Sequence, residues 1–531
     1  MIGFILLLSL GFIIYKYLEM NRKKNQDYFN KWGIKNVKRR TALQGFIQVI
    51  LKKVGMVDIV NDRYWEHPDE KIIGMWDMSK VVMMLRDPDL VKLIGMKEFD
   101  HFQDRRTLIT EEMDELFGNS LLMLKGQKWR DMRSTLSPAF TGSKMRLMCE
   151  LVVEICEQMV KFVKEDARTK GPQTYEMKDL FSRMTNDVIA TCAFGVKVDS
   201  LEERSNEFYQ SAQTLSTGLC KGSKGLKITG YRMFPRLMEL FKVKINEPRE
   251  TMFLRTLITE SMKIREQKNI VRPDMINLLM DVRKGRLTHT TGDKDSAGFA
   301  TVEESNIGQK NNKREWSEDE ILAQCFLFLL AGFETVSSVL SFTAYEIAVN
   351  PGVQDRLYEE IQGVHEELQG KKLTYDLLQK MKYLDMVFSE SLRKWPAAPF
   401  VDRICNKEFR MEYETGKYFD VPIDLTFWIP IISFHHDPKY FPEPDKFDPE
   451  RFSDDNKNNI NSSAYLPFGI GPRNCIGSRF ALMELKSIMY YLILNFSLEV
   501  TEKTEIPVKL AKSLVGLQPE NGIHLQLRPR V

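Results

Sequence analysis

One cysteine lies in a setting that favours chemistry, the glycine-rich stretch Phe468-Gly-Ile-Gly-Pro-Arg-Asn-Cys-Ile-Gly477. Cys475 precedes a helical pattern over residues 478–494, and free N–H groups at a helix N-terminus stabilise a thiolate. The glycines allow the backbone to approach a flat ligand without side-chain collisions. Arg473 carries a rigid guanidinium fork that suits a carboxylate. The stretch therefore predicts an anionic sulfur beside a planar group that bears acids.

A thiolate of this kind is the axial ligand that pushes electron density into haem iron and helps to cleave an O–O bond. The alternative is an inert cysteine in a glycine-rich turn, but no other cysteine in the chain has these neighbours. An odd total of seven, with no C-x-x-C, also argues against a disulfide framework or a structural zinc site. The residues of this stretch predicted to hold the cofactor are Phe468, Gly469, Arg473, Gly477 and, as metal ligand, Cys475.

A long helix is predicted over residues 317–348, because Ser317 and Glu320 match a capping box and Asn350-Pro351 ends the pattern. Residues 321–330 are apolar on nearly all sides, which indicates a buried helix. The stretch Ala331-Gly-Phe-Glu-Thr335 interrupts this run. Glycine and threonine weaken a helix, and the Thr335 hydroxyl can bond the carbonyl of Ala331. A buried threonine at a helix kink is the plainer alternative.

Two further patterns place charged side chains on one helix face. Glu390 and Arg393 stand at i,i+3, a spacing that also occurs on many solvated helices. Trp129 and Arg133 stand at i,i+4, and both can donate to carboxylate oxygens. Arg451, in Asp448-Pro-Glu-Arg-Phe452, is positioned to complete an ionic triad with Glu390 and Arg393.

In this order and company, these motifs resemble those of the cytochrome P450 family over nearly the whole chain. The resemblance implies a mostly α (α+β) fold, one large helical domain with small β-sheets around a buried haem b (iron protoporphyrin IX). Cys475 would be the axial ligand, and Glu390, Arg393 and Arg451 a buried structural triad. Residues 331–335 resemble the oxygen-activation segment, where Ala331 and Gly332 leave room for O2, Thr335 donates to it and Glu334 relays protons.

The resemblance also implies partners for the cofactor and a substrate pocket. Trp129, Arg133, Arg403 and Arg473 would contact haem propionates, and either Arg105 or Arg106 would join them. The distal pocket by analogy is lined by Leu327, Phe328, Ala397, Phe400, Leu514 and Val515. These residues are mostly apolar, which suits a lipophilic substrate. The chain is similar to insect microsomal members of clan 3, which implies xenobiotics such as plant toxins or insecticides as substrates.

The N-terminus predicts a membrane anchor over residues 1–18, since residues 2–14 are almost wholly apolar. A basic linker follows over residues 19–45, and its cations predict a body on the cytosolic side of the membrane. The resemblance implies that this membrane is the endoplasmic reticulum. Residues 46–531 would form one catalytic domain with short strands in residues 71–85 and a mobile polar insertion over residues 286–316. A net charge of +3 is too small to indicate nucleic-acid binding.

Enzymes of this kind take electrons from NADPH–cytochrome P450 reductase, with cytochrome b5 as a second candidate donor. Lys125, Lys128 and Arg130 would form a basic patch that steers an acidic flavoprotein, although a solvated helix face explains them equally well. The leading function is an O2- and NADPH-dependent monooxygenase. A peroxide isomerase or dehydratase is disfavoured by Glu334-Thr335, and a haem sensor or carrier remains a third reading.

Overall fold

Helices form most of the chain, as the sequence patterns predicted. The computed structural model describes residues 16, 28–37, 53–77, 80–107, 109–217, 222–233, 235–246, 248–272, 274–283, 299–301, 316–514 and 516–530. In chain order, the helices of these ranges are α1 (Met56–Tyr64), α2 (Pro88–Lys92), α3 (Glu115–Gly118), α4 (Gly126–Leu136), α5 (Gly142–Lys170), α6 (Met177–Cys192), α7 (Glu207–Thr217), α8 (Gly222–Met233), α9 (Pro235–Leu240), α10 (Pro248–Lys268), α11 (Met275–Arg283), α12 (Glu318–Val349), α13 (Pro351–Leu368), α14 (Tyr375–Lys380), α15 (Lys382–Lys394), α16 (Ile431–His435) and α17 (Ser478–Asn495).

The strands of these ranges form three small sheets. They are β1 (Ile72–Asp77), β2 (Lys80–Leu85), β3 (Gln173–Glu176), β4 (Val401–Ile404), β5 (Phe409–Glu414), β6 (Lys417–Val421), β7 (Thr426–Ile429), β8 (Phe496–Val500) and β9 (His524–Pro529). The strand orders are β1-β2-β7-β4, β3-β9-β8 and β5-β6. In the first sheet β2 and β7 are parallel, while β1 with β2 and β4 with β7 are antiparallel. The two strands predicted in residues 71–85 are confirmed as β1 and β2.

The buried helix α12 packs mainly against α6. Its ends, capped by Ser317 and Asn350, confirm those predicted from the sequence. The Ser317 hydroxyl accepts from the Glu320 amide at 3.2 Å, and the Glu320 carboxylate accepts from the Ser317 amide at 3.0 Å. The expected interruption at residues 331–335 was wrong, because the helix is continuous through them. Gly332 instead permits close helix packing, since a Cβ there would overlap the side chain of Ile189 on α6.

Within the described ranges, α12 alone is long and apolar enough to cross a membrane, and 67% of its most apolar 18-residue segment is buried inside the protein. The predicted anchor over residues 1–18 lies outside the described residues except for Lys16. Residues 28–37, assigned to the linker, lie against β1, where the Val37 amide donates to the Gly74 carbonyl at 2.9 Å. Of the insertion over residues 286–316, the structure describes residues 299–301 and 316.

Candidate active site

The cysteine loop is shaped by glycines and closed by a backbone hydrogen bond. The Cys475 amide donates to the Phe468 carbonyl at 2.9 Å. Gly469 and Gly471 have φ values of 79° and 67°, the left-handed region that favours glycine. A Cβ on Gly471 would also overlap the carbonyl oxygen of Gly95. The N-cap of α17 is Gly477, so the loop ends two residues after the cysteine.

The loop borders one large cavity of about 900 Å³. Cys475 is exposed because it faces this cavity. Ala331 and Thr335 are likewise exposed in the middle of the otherwise buried α12, and both line the same cavity. The two sequence motifs, 140 residues apart, therefore face a shared space.

Burial raises the pKa of the Cys475 thiol, against the thiolate that the helix N-terminus alone would favour. A hydrogen bond from the Gly477 backbone and the positive charges of Arg133 and Arg105 lower this pKa and so oppose the effect of burial. A bound metal ion deprotonates a coordinating thiol outright. The protein thus supplies part of the stabilisation that a thiolate needs, and a metal would supply the rest.

Two arginines lie beside the cysteine loop: Arg105 lines the cavity, whereas Arg403 does not line it and donates to the Ile470 carbonyl at 2.9 Å. Arg403 on β4 is fully buried, and burial lowers the pKa of its guanidinium to about 9, with the neighbouring charge of Arg105 acting in the same direction. Burial also lowers the pKa of Arg105. The Nε atoms of Arg105 and Arg403 are buried without a hydrogen-bond partner among the described residues. Such a cluster of cations with unsatisfied donors favours anionic oxygen ligands.

The other predicted cofactor partners are already bonded to protein. The Arg473 guanidinium lies 3.9 Å from the Trp129 ring centroid and donates to Gln103 and Leu124 carbonyls at 2.9 and 2.8 Å. Its Nη2 also lies 3.2 Å from Asp104. Arg133 donates to the Asn474 carbonyl at 2.9 Å, next to the cysteine. Arg473 therefore orients Trp129, and both line the cavity together with Arg133.

The contacts of Arg105 and Arg106, between which the sequence left the choice open, differ. Arg106 forms an ion pair with Asp77, while Arg105 donates to the Arg473 carbonyl at 2.8 Å and leaves Nε unsatisfied. Arg105 is therefore the candidate for the anion. A cavity with a cysteine on its wall and arginines with free donors beside it fits a haem with two propionates.

Glu334 and Thr335, the predicted acid–alcohol pair, lie in different surroundings. The Thr335 hydroxyl donates to the Ala331 carbonyl at 2.6 Å, as predicted, and its oxygen remains able to accept a hydrogen bond from the cavity. The Glu334 carboxylate instead lies 3.3 Å from the Lys178 Nζ and 3.4 Å from the Gln518 amide nitrogen. Lys178 also donates to the Ser337 hydroxyl at 2.6 Å. Lys178 and Gln518 were not predicted from the sequence as partners of Glu334, because both are distant from it in the chain.

The three members of the predicted triad are in contact, but only Glu390 and Arg393 are fully buried, and Arg451 is partly exposed. Arg393 binds the Glu390 carboxylate through two hydrogen bonds of 2.7 and 2.9 Å, and both side chains are fully buried. The Arg451 Nε lies 3.4 Å from the same carboxylate, and the Asp448 amide donates to it at 2.9 Å. Burial raises the pKa of Glu390, while its bonds to Arg393 oppose the rise. Arg393 also donates to the His435 carbonyl at 2.8 Å, which ties α15 to α16.

Comparison of the sequence with known proteins identifies one family. The family description "Cytochrome P450" fits residues 47–526. The chain belongs to the cytochrome P450 family. A probable cytochrome P450 9f2 of Drosophila melanogaster is 42% identical, covering 95% of this chain and 96% of the relative. Cytochrome P450 9e2 of Blattella germanica is 42% identical over 95% and 94% of the two chains, and cytochrome P450 6j1 of the same organism is 32% identical over 96% and 95%.

The fold of this cytochrome P450 is the predicted one, and the chain is a monooxygenase of the oxidoreductase class. The family implies haem with a cysteine thiolate and O2 as co-substrate. Five of the six residues predicted for the substrate pocket line the cavity, namely Leu327, Phe328, Ala397, Phe400 and Leu514. Val515 lies outside the described residues.

The predicted basic patch on α4 is largely neutralised in this cytochrome P450. Lys128 lies 2.8 Å from Glu320, and Arg130 lies 2.6 Å from Asp100. Exposed cations occur instead at Lys92, the N-cap of a π-helical turn over Leu93–Lys97, and at Lys97, its last residue, and this turn packs on the cysteine loop. Sequence analysis missed both because only the fold brings that turn to the loop.

Proposed function

We propose that this cytochrome P450 oxidises lipophilic small molecules, xenobiotics such as plant toxins or insecticides among them, with O2 and electrons from NADPH. The observation that carries the proposal is that Cys475, Thr335 and Arg105, whose Nε has no hydrogen-bond partner among the described residues, border one large, mainly apolar cavity. Apolar walls with a few convergent polar groups are typical of pockets for hydrophobic ligands. Phe400 and Trp428, whose ring centroids lie 4.3 Å apart, would contribute an aromatic wall to the substrate space.

The residues divide into cofactor-holding and proton-handling groups. Cys475 would be the iron ligand, Arg105, Arg403, Arg133 and Trp129 would bind propionates, and Phe468, Gly469 and Gly477 would lie along the ring. Arg473 would act chiefly by holding Trp129 in place. A thiolate-ligated haem supplies the activation of O2 that allows one oxygen atom to enter the substrate and the other to leave as water.

Proton delivery would fall to Thr335, Glu334 and Ala331. The Thr335 oxygen borders the cavity. Because its O–H donates to the Ala331 carbonyl, this oxygen can accept a hydrogen bond from water in the cavity. The Glu334 carboxylate, held by Lys178 and Gln518, would exchange protons on the outer side of α12. Gly332 would set the distance between α12 and α6 at this point.

Thr335→Ala should therefore bind haem and substrate normally but divert most reducing equivalents to hydrogen peroxide. A positioned proton-transfer group contributes roughly 10²–10⁴-fold to a rate. The rate of product formation should therefore decrease by about that factor. The measurement is product and peroxide formed per NADPH consumed. Thr335→Ser, which keeps the hydroxyl, is the matched control and should retain coupling. Unchanged coupling in the alanine variant would remove this role from Thr335.

The proposed electron donor is NADPH–cytochrome P450 reductase, with cytochrome b5 as a second donor. Residues 1–18 would anchor the chain in the endoplasmic reticulum membrane, residues 19–45 would link it, and residues 46–531 would form the cytosolic catalytic domain that contains the insertion over residues 286–316. The relatives' similarity over nearly the full chain supports a shared organisation. Lys92, Lys97 and Lys125 are exposed cations that would meet an acidic flavoprotein.

Lys97→Glu should slow reduction by the reductase severalfold at low salt and much less at high salt, because surface charges are screened by ions. The measurement is the rate of haem reduction by stopped flow across a salt series. Lys97→Gln, which removes the charge without reversing it, should give an intermediate rate. Equal salt dependence in all three proteins would exclude this surface. Lys128 is a poorer choice, since its reversal would also break the pair with Glu320.

The whole proposal is tested on the purified full-length chain. The reduced carbonyl spectrum is recorded first, and NADPH consumption with reductase is then measured across a panel of lipophilic compounds. A thiolate-type spectrum with compound-dependent product formation is expected. Rearrangement of peroxides without reductase would instead identify an isomerase, and a haem spectrum without turnover would identify a sensor or carrier.

A further inference from the structure

The polar insertion over residues 286–316 was predicted to be a mobile surface feature, but residues 299–301 within it pack against the protein and are partly or fully buried. Phe299 packs on the main hydrophobic cluster, and Ala300 is 3% exposed. The Thr301 hydroxyl is buried without a hydrogen-bond partner among the described residues. A segment that only covered the surface would not bury these groups. The insertion therefore has a defined attachment point.

The first link runs through Asp385 on α15. The Phe299 amide donates to one Asp385 carboxylate oxygen at 2.9 Å. The other oxygen lies 2.7 Å from the Nζ of Lys486, a fully buried lysine on α17. Because α17 starts immediately after the cysteine loop, this carboxylate connects the insertion to the C-terminal side of that loop.

The second link is aromatic and reaches the N-terminal side of the loop. The Phe299 ring lies 5.1 Å from Phe452 and 5.6 Å from Tyr465, centroid to centroid. Phe452 directly follows Arg451 of the triad. Tyr465 donates to the Ser389 carbonyl at 2.9 Å and stacks on His435, which accepts from the Leu466 amide at 2.8 Å. Leu466 lies two residues before Phe468, whose carbonyl binds the Cys475 amide.

We propose that Phe299 is a positioning residue for the cysteine loop. Through Tyr465 and Asp385 it braces the segments on both sides of Cys475, so that the insertion stabilises the geometry in which the sulfur faces the cavity. This inference rests on the proposed role of Cys475 as iron ligand. The aromatic contacts and the hydrogen bond from the Phe299 amide to the partly buried Asp385 carboxylate carry the coupling, so Phe299 does not need to touch the haem.

Phe299→Ala is expected to release haem to an acceptor protein about tenfold faster than the unaltered chain, because two aromatic contacts are lost. Under mild urea, a larger fraction of its reduced carbonyl complex should lose the thiolate-type band. Amide hydrogen exchange at Leu466 and Cys475 should also quicken by about tenfold, a readout that does not depend on haem spectra. Phe299→Leu keeps most of the packing volume and should restore much of each property.

Phe253→Ala is the matched control, since Phe253 is also half-buried and has an aromatic partner, Phe208, away from the loop. It should leave the thiolate band and the two amides unchanged. Equal behaviour of the Phe299 and Phe253 variants would overturn the proposal. If the unaltered chain itself lacks a thiolate spectrum, the proposed function fails, and amide exchange at Leu466 still decides whether Phe299 braces the loop.

Discussion

Cys475→Ala should abolish the thiolate-type band of the reduced carbonyl complex and bring oxidative product formation to background. Alanine offers no donor to iron, and the sulfur is what pushes electron density towards the O–O bond. The loop itself should survive, because its closing bond joins the backbone of residues 475 and 468 and its shape depends on Gly469 and Gly471. The measurements are the reduced carbonyl spectrum, haem content and turnover with reductase.

Cys192→Ala is the matched control because Cys192 lines the same cavity. Burial raises the pKa of Cys192 well above its usual value, with acidic neighbours adding to the rise. Burial also raises the pKa of Cys149 and Cys325 to about 12 and of Cys405 to about 11, so these thiols remain protonated. Cys192→Ala should keep the full spectrum. A normal Soret band and turnover in Cys475→Ala would refute the assignment of the ligand.

Glu390→Gln should prevent stable haem incorporation. The glutamine keeps the shape of the side chain but leaves Arg393, which is fully buried, without its counter-charge. Breaking a buried ion pair by neutralising one partner costs about 3–5 kcal/mol, a large part of the roughly 5–15 kcal/mol by which a domain is stable. Arg451 and the Asp448 amide would lose the same acceptor charge. The measurements are haem content after expression and the urea midpoint of unfolding.

Glu165→Gln is the matched control for charge and spacing. Glu165 and Arg168 form the same i,i+3 pair on α5, but their side chains are 57% and 72% exposed. An exposed pair gains little in water, so this variant should incorporate haem like the unaltered chain. Normal reduced carbonyl spectra from Glu390→Gln would show that the triad is dispensable for holding the cofactor.

Local sequence patterns determined the elements that carry the site. Helix ends depend on contacts within three or four residues, which is why the Ser317–Glu320 capping box and the end at Asn350 were predictable. The Glu390–Arg393 pair and the Thr335–Ala331 hydrogen bond are also short-range and were predicted. The glycine-rich loop around Cys475, together with the order of the motifs, was enough to assign the family.

Tertiary structure decided every choice between partners that are distant in sequence. Asp77, 29 residues from Arg106, pairs with that arginine, whereas Arg105 keeps a buried Nε without a partner among the described residues, which makes Arg105 the proposed partner for an anion. Glu320, on another helix, neutralises Lys128. Asp385 and Tyr465 hold the half-buried Phe299 in place, although its flanking sequence is polar. No local pattern encodes such pairings, because they depend on which elements the whole core brings together and on the charges that its burial requires to be matched.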